Sequence, residues 1–401
     1  MPENCVLVGT VLTDGNSAED QAVAVVGGLI TYVGPLKDLD RSSRPELEIL
    51  EFPAGSMILP GLVDLHCHGG AGGDFPSGNL ATARTAIDFI HRSGTTTLLA
   101  SLVSASREDL LKGIATLRLL TDEGLIAGIH AEGPFLSHAR CGAQDPRFLL
   151  HPDLDMLDQL LRAAGGHLRT MTYAPELPGA GALVRMLAEH GVVPSLGHTD
   201  SDAATAANSL TRAAELLASS GRTSPSRPTV THLFNGMPPL HHRSPGPVAA
   251  CLRLAADGQA AVELIADGAH LDAETVRMVF AIAGGANVIL VTDSMAAAGL
   301  PDGEYTLGPA SVSVTGSVAR VRSNGSLAGG TASLLEIVRR TVEAGIDPVV
   351  AVTSATAVPA AVIGVQDRAG SLKPGRPADL VVVDSSFHRL LVLRGGRCLP
   401  P

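Results

Sequence analysis

From about Pro60 to Gly364, short apolar runs of strand character alternate with Ala- and Leu-rich stretches of helical character. Ile58 to Leu65 opens the series. Thr95 to Leu102 is then followed by Arg107 to Leu120, Ile126 to Ile129 by Leu154 to Ala164, and Val192 to Leu196 by Asp202 to Ala218. The alternation continues through Thr229 to Leu233, Ala261 to Ile265 with the helix Ala273 to Ala283, and Val288 to Val291. Repeated strand and helix units imply a parallel sheet, and eight of them close a barrel. The pattern therefore predicts an α/β fold, a (β/α)8 TIM-type barrel. A doubly wound open sheet is the competing architecture, and no glycine-rich dinucleotide fingerprint supports it. Ser219 to Pro228, rich in Ser, Arg, Pro and Gly, reads as a loop.

The two ends of the chain follow a different grammar. Cys5 to Leu12, Ala22 to Val26 and Leu29 to Val33 are short β-rich segments punctuated by Asp14-Gly15 and Gly27-Gly28. Leu380 to Val383 and Leu390 to Leu393 repeat the pattern before Gly395-Gly396. We expect a small β-sandwich formed by both chain termini, residues 1–58 and 365–401, around a barrel of residues 59–364.

At 401 residues the chain can bury a large core, and with 45% hydrophobic residues, 3% aromatic and no Trp, that core is built of Ala, Val and Leu. A net charge of −11 argues against a nucleic-acid or anionic-membrane surface, so an anionic ligand must be held locally. The first residues lack a basic region with an apolar core and cleavage site, and no run reaches membrane-spanning length. Five widely spaced cysteines without a Cys-x-x-Cys pair fit a reducing compartment. The expectation is a cytoplasmic protein.

Candidate chemistry collects at the ends of the apolar runs. His66 and His68 close the first, and strand alternation puts both imidazoles on one face with Cys67 on the other, a pair suited to a metal ion. Glu132, His198 and His232 close three later runs. Imidazole and carboxylate converging on one rim assemble a hydrolytic zinc-type site, and three ligands leave a position for water. Alone, Glu132 reads better as the partner of an arginine; His198 and His232 reverse that balance. His130, beside Glu132, reads as a residue that orients a ligand, with direct ligation as the alternative. Lys37, Lys112 and Lys373 lie away from these motifs, so no bridging lysine is offered and Glu132 must serve instead. Asp293 closes the run from Val288. It can take a proton from water and return it to a leaving group, or it can cap the next helix.

Pro60-Gly61-Leu62-Val63-Asp64-Leu65-His66-Cys67-His68-Gly69 resembles the opening signature of the amidohydrolase superfamily. HAEGPF from His130, LGHTDSDA from Leu196, THLFNGMPP from Thr231, ADGAH from Ala266 and VTDSMAAAG from Val291 are similar to the N-acetylglucosamine-6-phosphate deacetylase family within it. GSLKPGRPADLVVVD from Gly370 resembles the superfamily's small β-sandwich.

The resemblance implies a divalent metal at Glu132, His198 and His232, zinc first with Fe, Mn or Co as alternatives, and Asp293 as catalytic acid and base. It implies substrate contacts from Ala143, Gln144, Asn235, Gly236, Arg243, His270, Leu327, Ala328 and Gly329. The implied reaction hydrolyses the acetamide of N-acetyl-D-glucosamine 6-phosphate to D-glucosamine 6-phosphate and acetate, in amino-sugar catabolism and recycling. The phosphorylated acetamido sugar would then be the partner, with neither nucleic acid nor membrane. A homodimer is implied too, with Arg243 reaching a neighbour's site. Family members often carry His where Gln144 falls, and some lack His66 and His68, whose presence here opens a second metal position. Cys141, on the same loop as Gln144, reads as an inert thiol. The alternatives are N-acetylgalactosamine 6-phosphate as substrate, another amidohydrolase such as a cyclic-amide hydrolase, and a non-catalytic relative kept as an interaction module.

Overall fold

A computed structural model describes residues 4–40, 47–220 and 227–400. Residues 221–226 of the loop expected at Ser219 to Pro228 lie outside the described residues. Eight parallel strands form one sheet in sequential order: β1 Leu62–Cys67, β2 Thr95–Leu102, β3 Gly128–Glu132, β4 Leu168–Tyr173, β5 Val193–Leu196, β6 Thr229–Val230, β7 Ala261–Leu264 and β8 Val288–Leu290. The sheet's two ends meet just past β8. There the Asp293 N–H donates to His66 O at 2.8 Å and Ser294 bridges Cys67 in parallel register. The expected (β/α)8 barrel is present, and it closes beside the first histidine pair.

Seven of the strands coincide with apolar runs, but β4 does not. Its sequence, LRTMTY, interrupts the apolar pattern with Arg169, Thr170 and Thr172. Thr172 is fully buried and its hydroxyl bonds His130 Nε2 and Thr231 Oγ1, both at 2.8 Å. Its polarity is satisfied inside the barrel, so a run of apolar letters is not required there. β6 is shorter than its apolar run because His232 and Phe234 turn to φ +28° and +79°.

The helices seal the outside. Leu154–Ala164 begins where the Asp153 carboxylate accepts from Met156 N at 3.0 Å and ends at Gly165 with φ +57°. Its Met156, Leu157, Leu160, Leu161 and Ala164 make one buried stripe against the strands. Each fully buried leucine of this kind contributes about 1.5–3 kcal/mol.

Strands from both termini form a second eight-stranded sheet. In it Met57–Pro60 pairs in parallel with Cys5–Thr13 and antiparallel with Leu380–Val383, which joins the two ends of the chain. Cys5, Leu7, Val23, Val25 and Val382 pack into one core, whereas the alternate residues Val6, Ala22 and Ala24 pack into another. A three-stranded antiparallel sheet at residues 303–321, unforeseen in the apolar pattern, follows β8 and seats Leu307, Val312 and Val314 on Met295 and Ala328. Among the described residues no helix is long and apolar enough to cross a membrane. All five cysteines are free.

Candidate metal centre and active site

Glu132 is the last residue of β3, His198 and His232 lie two residues beyond β5 and β6, and Asp293 lies three beyond β8. His198, His232 and Asp293 hold φ values of +46°, +28° and +46°. L-residues with side chains seldom occupy that region, and its recurrence at three strand ends marks strain concentrated at this rim.

The rim carries two triads, Glu132 with His198 and His232, and Asp293 with His66 and His68, and Glu132 faces both. His198 Nε2 and His232 Nε2 each lie 2.9 Å from Glu132 Oε1 and 3.2 Å from one another. His66 Nε2 and His68 Nε2 lie 3.1 Å apart and 3.3 and 3.2 Å from Asp293 Oδ1. Glu132 Oε2 faces this second group, 3.3 Å from His68 Nε2 and 3.7 Å from His66 Nε2. Each triad gathers three potential ligand atoms within 4.8 Å of one another. All six side chains are buried or nearly so.

The outer ring nitrogens fix the tautomers. His198 Nδ1 donates to Arg140 O at 2.8 Å, His68 Nδ1 to Ser101 O at 3.2 Å, and His66 Nδ1 to Glu263 Oε2 at 3.4 Å. A neutral ring that donates through Nδ1 presents a lone pair at Nε2. Lone pairs therefore face carboxylate oxygens at about 3 Å in a buried site, an arrangement that is repulsive unless a proton or a metal ion sits between them. The donor set of imidazole nitrogen and carboxylate oxygen fits a divalent ion of the zinc type.

Proton affinities report the same demand. Burial opposes charging His68, and the carboxylates of Asp293 and Glu132 overcome it, pushing the ring up to about 9. His66 and His198 are raised against burial by the same carboxylates. Burial lifts the Glu132 carboxyl, but His66, His198 and His232 outweigh it and hold it well below the usual range. Asp293, likewise opposed by burial, is brought down to about 2 by His66 and His68. His130, buried and next to these rings, is pushed the other way and stays neutral. It bonds Ser101 Oγ at 2.9 Å and packs edge-on against His66.

A cavity of about 330 Å³ opens over the triads. Ala143, Gln144, Asn235, Gly236, His270, Leu327 and Gly329 line it together with His68, Glu132, His198, His232 and Asp293. Two of the substrate residues expected from the sequence are placed otherwise. Ala328 is buried with its N–H on Ala319 O, and Arg243 is exposed on a turn outside this chain's cavity. Asn235 donates through both its backbone and side-chain nitrogens to His232 O, so it braces the turn rather than offering its N–H to an anion. His270 Nδ1 donates to Asp267 Oδ2 at 2.8 Å, and that carboxylate raises the ring's proton affinity against burial. A larger cavity of about 430 Å³, between Phe89 and Arg389, contains none of these side chains.

The amidohydrolase family model matches residues 57–397. An N-acetylglucosamine-6-phosphate deacetylase of Bacillus subtilis (strain 168) is 33% identical over 398 residues, which cover 96% of this chain and 94% of that protein. The chain belongs to the amidohydrolase family. An N-acetylgalactosamine-6-phosphate deacetylase of Escherichia coli O157:H7 is also 33% identical, with 94% of each chain covered. Among solved structures, a mutant N-acetyl-D-glucosamine-6-phosphate deacetylase from Mycobacterium smegmatis, in complex with N-acetyl-D-glucosamine-6-phosphate, superposes with this amidohydrolase at a TM-score of 0.88. It shares 34% identity, and 99% of each chain is covered.

Around this amidohydrolase's rim the structure adds residues that sequence reasoning did not single out. Glu263 and Asp64 are carboxylates inside otherwise apolar strands, and that mismatch was their signal. Asp64 accepts from His66 N at 3.2 Å and from the Thr292 hydroxyl at 2.6 Å. Phe234, Gly142, Leu307 and Ser326 line the cavity without any distinguishing letter in the sequence.

Proposed function

We propose that this amidohydrolase removes the acetyl group from N-acetyl-D-glucosamine 6-phosphate, releasing D-glucosamine 6-phosphate and acetate in amino-sugar catabolism and recycling. The observation that carries the reading is the convergence of Glu132, His198 and His232 with Asp293 in one cavity that also holds His270, Gly236 and Gly329. The same activity in a relative matched over nearly the whole chain supports it.

In this reading Glu132, His198 and His232 hold a divalent ion, zinc before iron, manganese or cobalt, and His66, His68 and Asp293 offer a second position. When bound, the ion polarises the acetamide carbonyl and makes water more acidic. The Asp293 carboxylate, ionised at neutral pH, accepts a proton from the attacking water. As the C–N bond breaks it returns that proton to the sugar nitrogen, so the neutral amine leaves with acetic acid, whose remaining hydroxyl proton passes to the amine or to solvent to give acetate. His270, favoured as a cation by Asp267, and the Gly236 backbone meet the anionic end of the sugar. Glycine at position 236 has φ +60°, and a Cβ there would lie 2.8 Å from His198 Nδ1, so only glycine lets the chain pass this close to the ligand. Residues 59–364 would be the catalytic unit, with 1–58 and 365–401 as the appended sandwich. Arg243, outside its own cavity, would serve a neighbour's site in a cytoplasmic homodimer.

The test is acetate release from N-acetylglucosamine and N-acetylgalactosamine, each with and without a 6-phosphate. We expect kcat/KM for the phosphorylated glucosamine derivative to exceed that for its unphosphorylated form by about 100-fold or more, the order that charge-assisted contacts supply. Preference for the galacto epimer would shift the reading to the activity that the E. coli relative bears. Absence of acetate from all four would overturn it.

A further inference from the structure

Glu263 is 3% exposed on β7, where the flanking Val262 and Leu264 turn outward to the helices and its own side chain points beneath the rim. A single atom, Glu263 Oε2, accepts from His66 Nδ1 at 3.4 Å and from His232 N at 3.3 Å. One of these residues belongs to each triad. Among the described residues the only ion-pair partner of this carboxylate is His66, with no Arg or Lys beside it. A buried carboxylate so placed costs several kcal/mol unless its partner carries positive charge or ligates a cation.

We infer that Glu263 is a positioning residue that fixes the His66 tautomer and thereby sets the affinity of the second ion position, His66, His68 and Asp293. This rests on the reading that the second triad holds an ion. A carboxylate behind an imidazole keeps the proton on the far nitrogen, turns the lone pair to the ion and makes that nitrogen a stronger donor. At His232 the same oxygen holds only a backbone N–H, already braced by its φ of +28° and by the Leu233 N–H on Glu263 O at 2.8 Å. Loss of the carboxylate should thus fall mainly on the second position. The first position keeps His198, His232 and Glu132 Oε1.

Cobalt(II) titration of the stripped full-length chain tests this, reading ions bound per chain and the visible absorption of each binding step. Wild type should take up two ions. Glu263→Ala should weaken the second step by about 10–100-fold, the usual effect of removing such a partner, and the first by less than about threefold. Glu263→Gln keeps the shape and the acceptor oxygen but not the charge, so it should show a smaller loss on the same step, and it carries the test should the alanine variant not fold. In a His66→Ala background, Glu263→Ala should add no further loss, as a double-mutant cycle requires of a residue acting through that ring. A wild-type chain that takes one ion, a second step unchanged in the folded variants, equal losses at both steps, or a loss that persists without His66 would each overturn the inference. None of those results touches the deacetylase reading, which fails on absent acetate release.

Discussion

The side-chain amide of Gln144 donates to Glu132 Oε2 at 2.6 Å, the oxygen that also faces His68. Its carbonyl accepts from Ser104 N at 2.7 Å. Gln144 therefore locks the shared carboxylate in place, besides reaching the cavity as the sequence led us to expect. Gln144→Leu strands two buried polar groups, at about 1–3 kcal/mol each. We expect a lowered urea midpoint and at least about a tenfold loss of kcat/KM, since orientation of a ligand's partner is worth about that much. Gln144→His, which can still donate to Glu132, should recover most of both.

Asp293 turns its carboxylate to His66 and His68 at 3.3 and 3.2 Å, and in the proposed reaction it is the group that moves the proton. Asp293→Asn keeps the shape and removes the base. Turnover should fall by about 10²–10⁴-fold, the usual contribution of general acid and base catalysis, while equilibrium binding of the substrate stays within about threefold. Near-normal turnover would remove the residue from the mechanism.

The barrel and the candidate ligands were legible in the sequence for one reason: fully buried strands read as apolar runs, and a charged or imidazole residue closing such a run stands out. Glu132, His198, His232 and Asp293 are each the polar residue that follows an apolar run. The same rule hides β4, where Thr172 is polar, buried and bonded within the barrel. The family resemblance implied contacts from Ala143, Gly236 and His270, which line the cavity, but not that Asn235 turns its backbone and side-chain nitrogens onto His232 O, because that depends on a turn whose φ values no local pattern reveals. Arg243 is a different case, since its expected role needs a second chain. Glu263 stands inside its strand and not at the end of an apolar run, so the same rule passes over it.

Gly236 gives a steric prediction. At φ +60°, with a Cβ 2.8 Å from His198 Nδ1 and 3.3 Å from its Cα, an alanine cannot be accommodated unless His198 shifts. Backbone strain of about 1–3 kcal/mol adds to that displacement. Gly236→Ala should therefore lower both the unfolding midpoint and metal retention, read by ion content after desalting. Unchanged ion content would mean that the loop moves and His198 does not.

Far from the cavity, His91 is buried with Thr95 O 2.8 Å from Nδ1 and Leu125 O 2.9 Å from Nε2. Two acceptors would suit an imidazolium, but burial and the Arg394 guanidinium prevail and lower the ring from 6.5 to about 4. The folded chain then binds fewer protons than the unfolded chain between those values. Stability from this group is complete above pH 6.5 and is lost as the pH falls towards 4, by about 3 kcal/mol in all. The difference in urea stability between wild type and His91→Gln should change by about that amount across the window. A flat difference would show that the ring does not titrate as described.

Removal of the metal separates an enzyme from a fold kept for interaction. His66, His68 and His198 donate outward through Nδ1 and turn Nε2 to carboxylate oxygen at about 3 Å, so this buried cluster needs a positive charge, a proton or a metal ion, between its members. An ion that binds only the folded chain adds stability by mass action, about 2.7 kcal/mol when free ion is a hundredfold above its Kd. Dialysis against a chelator should abolish acetate release and lower the unfolding midpoint together, and stoichiometric Zn²⁺, Co²⁺ or Mn²⁺ should restore both. An interaction module would keep its stability through the same treatment and release no acetate before or after it.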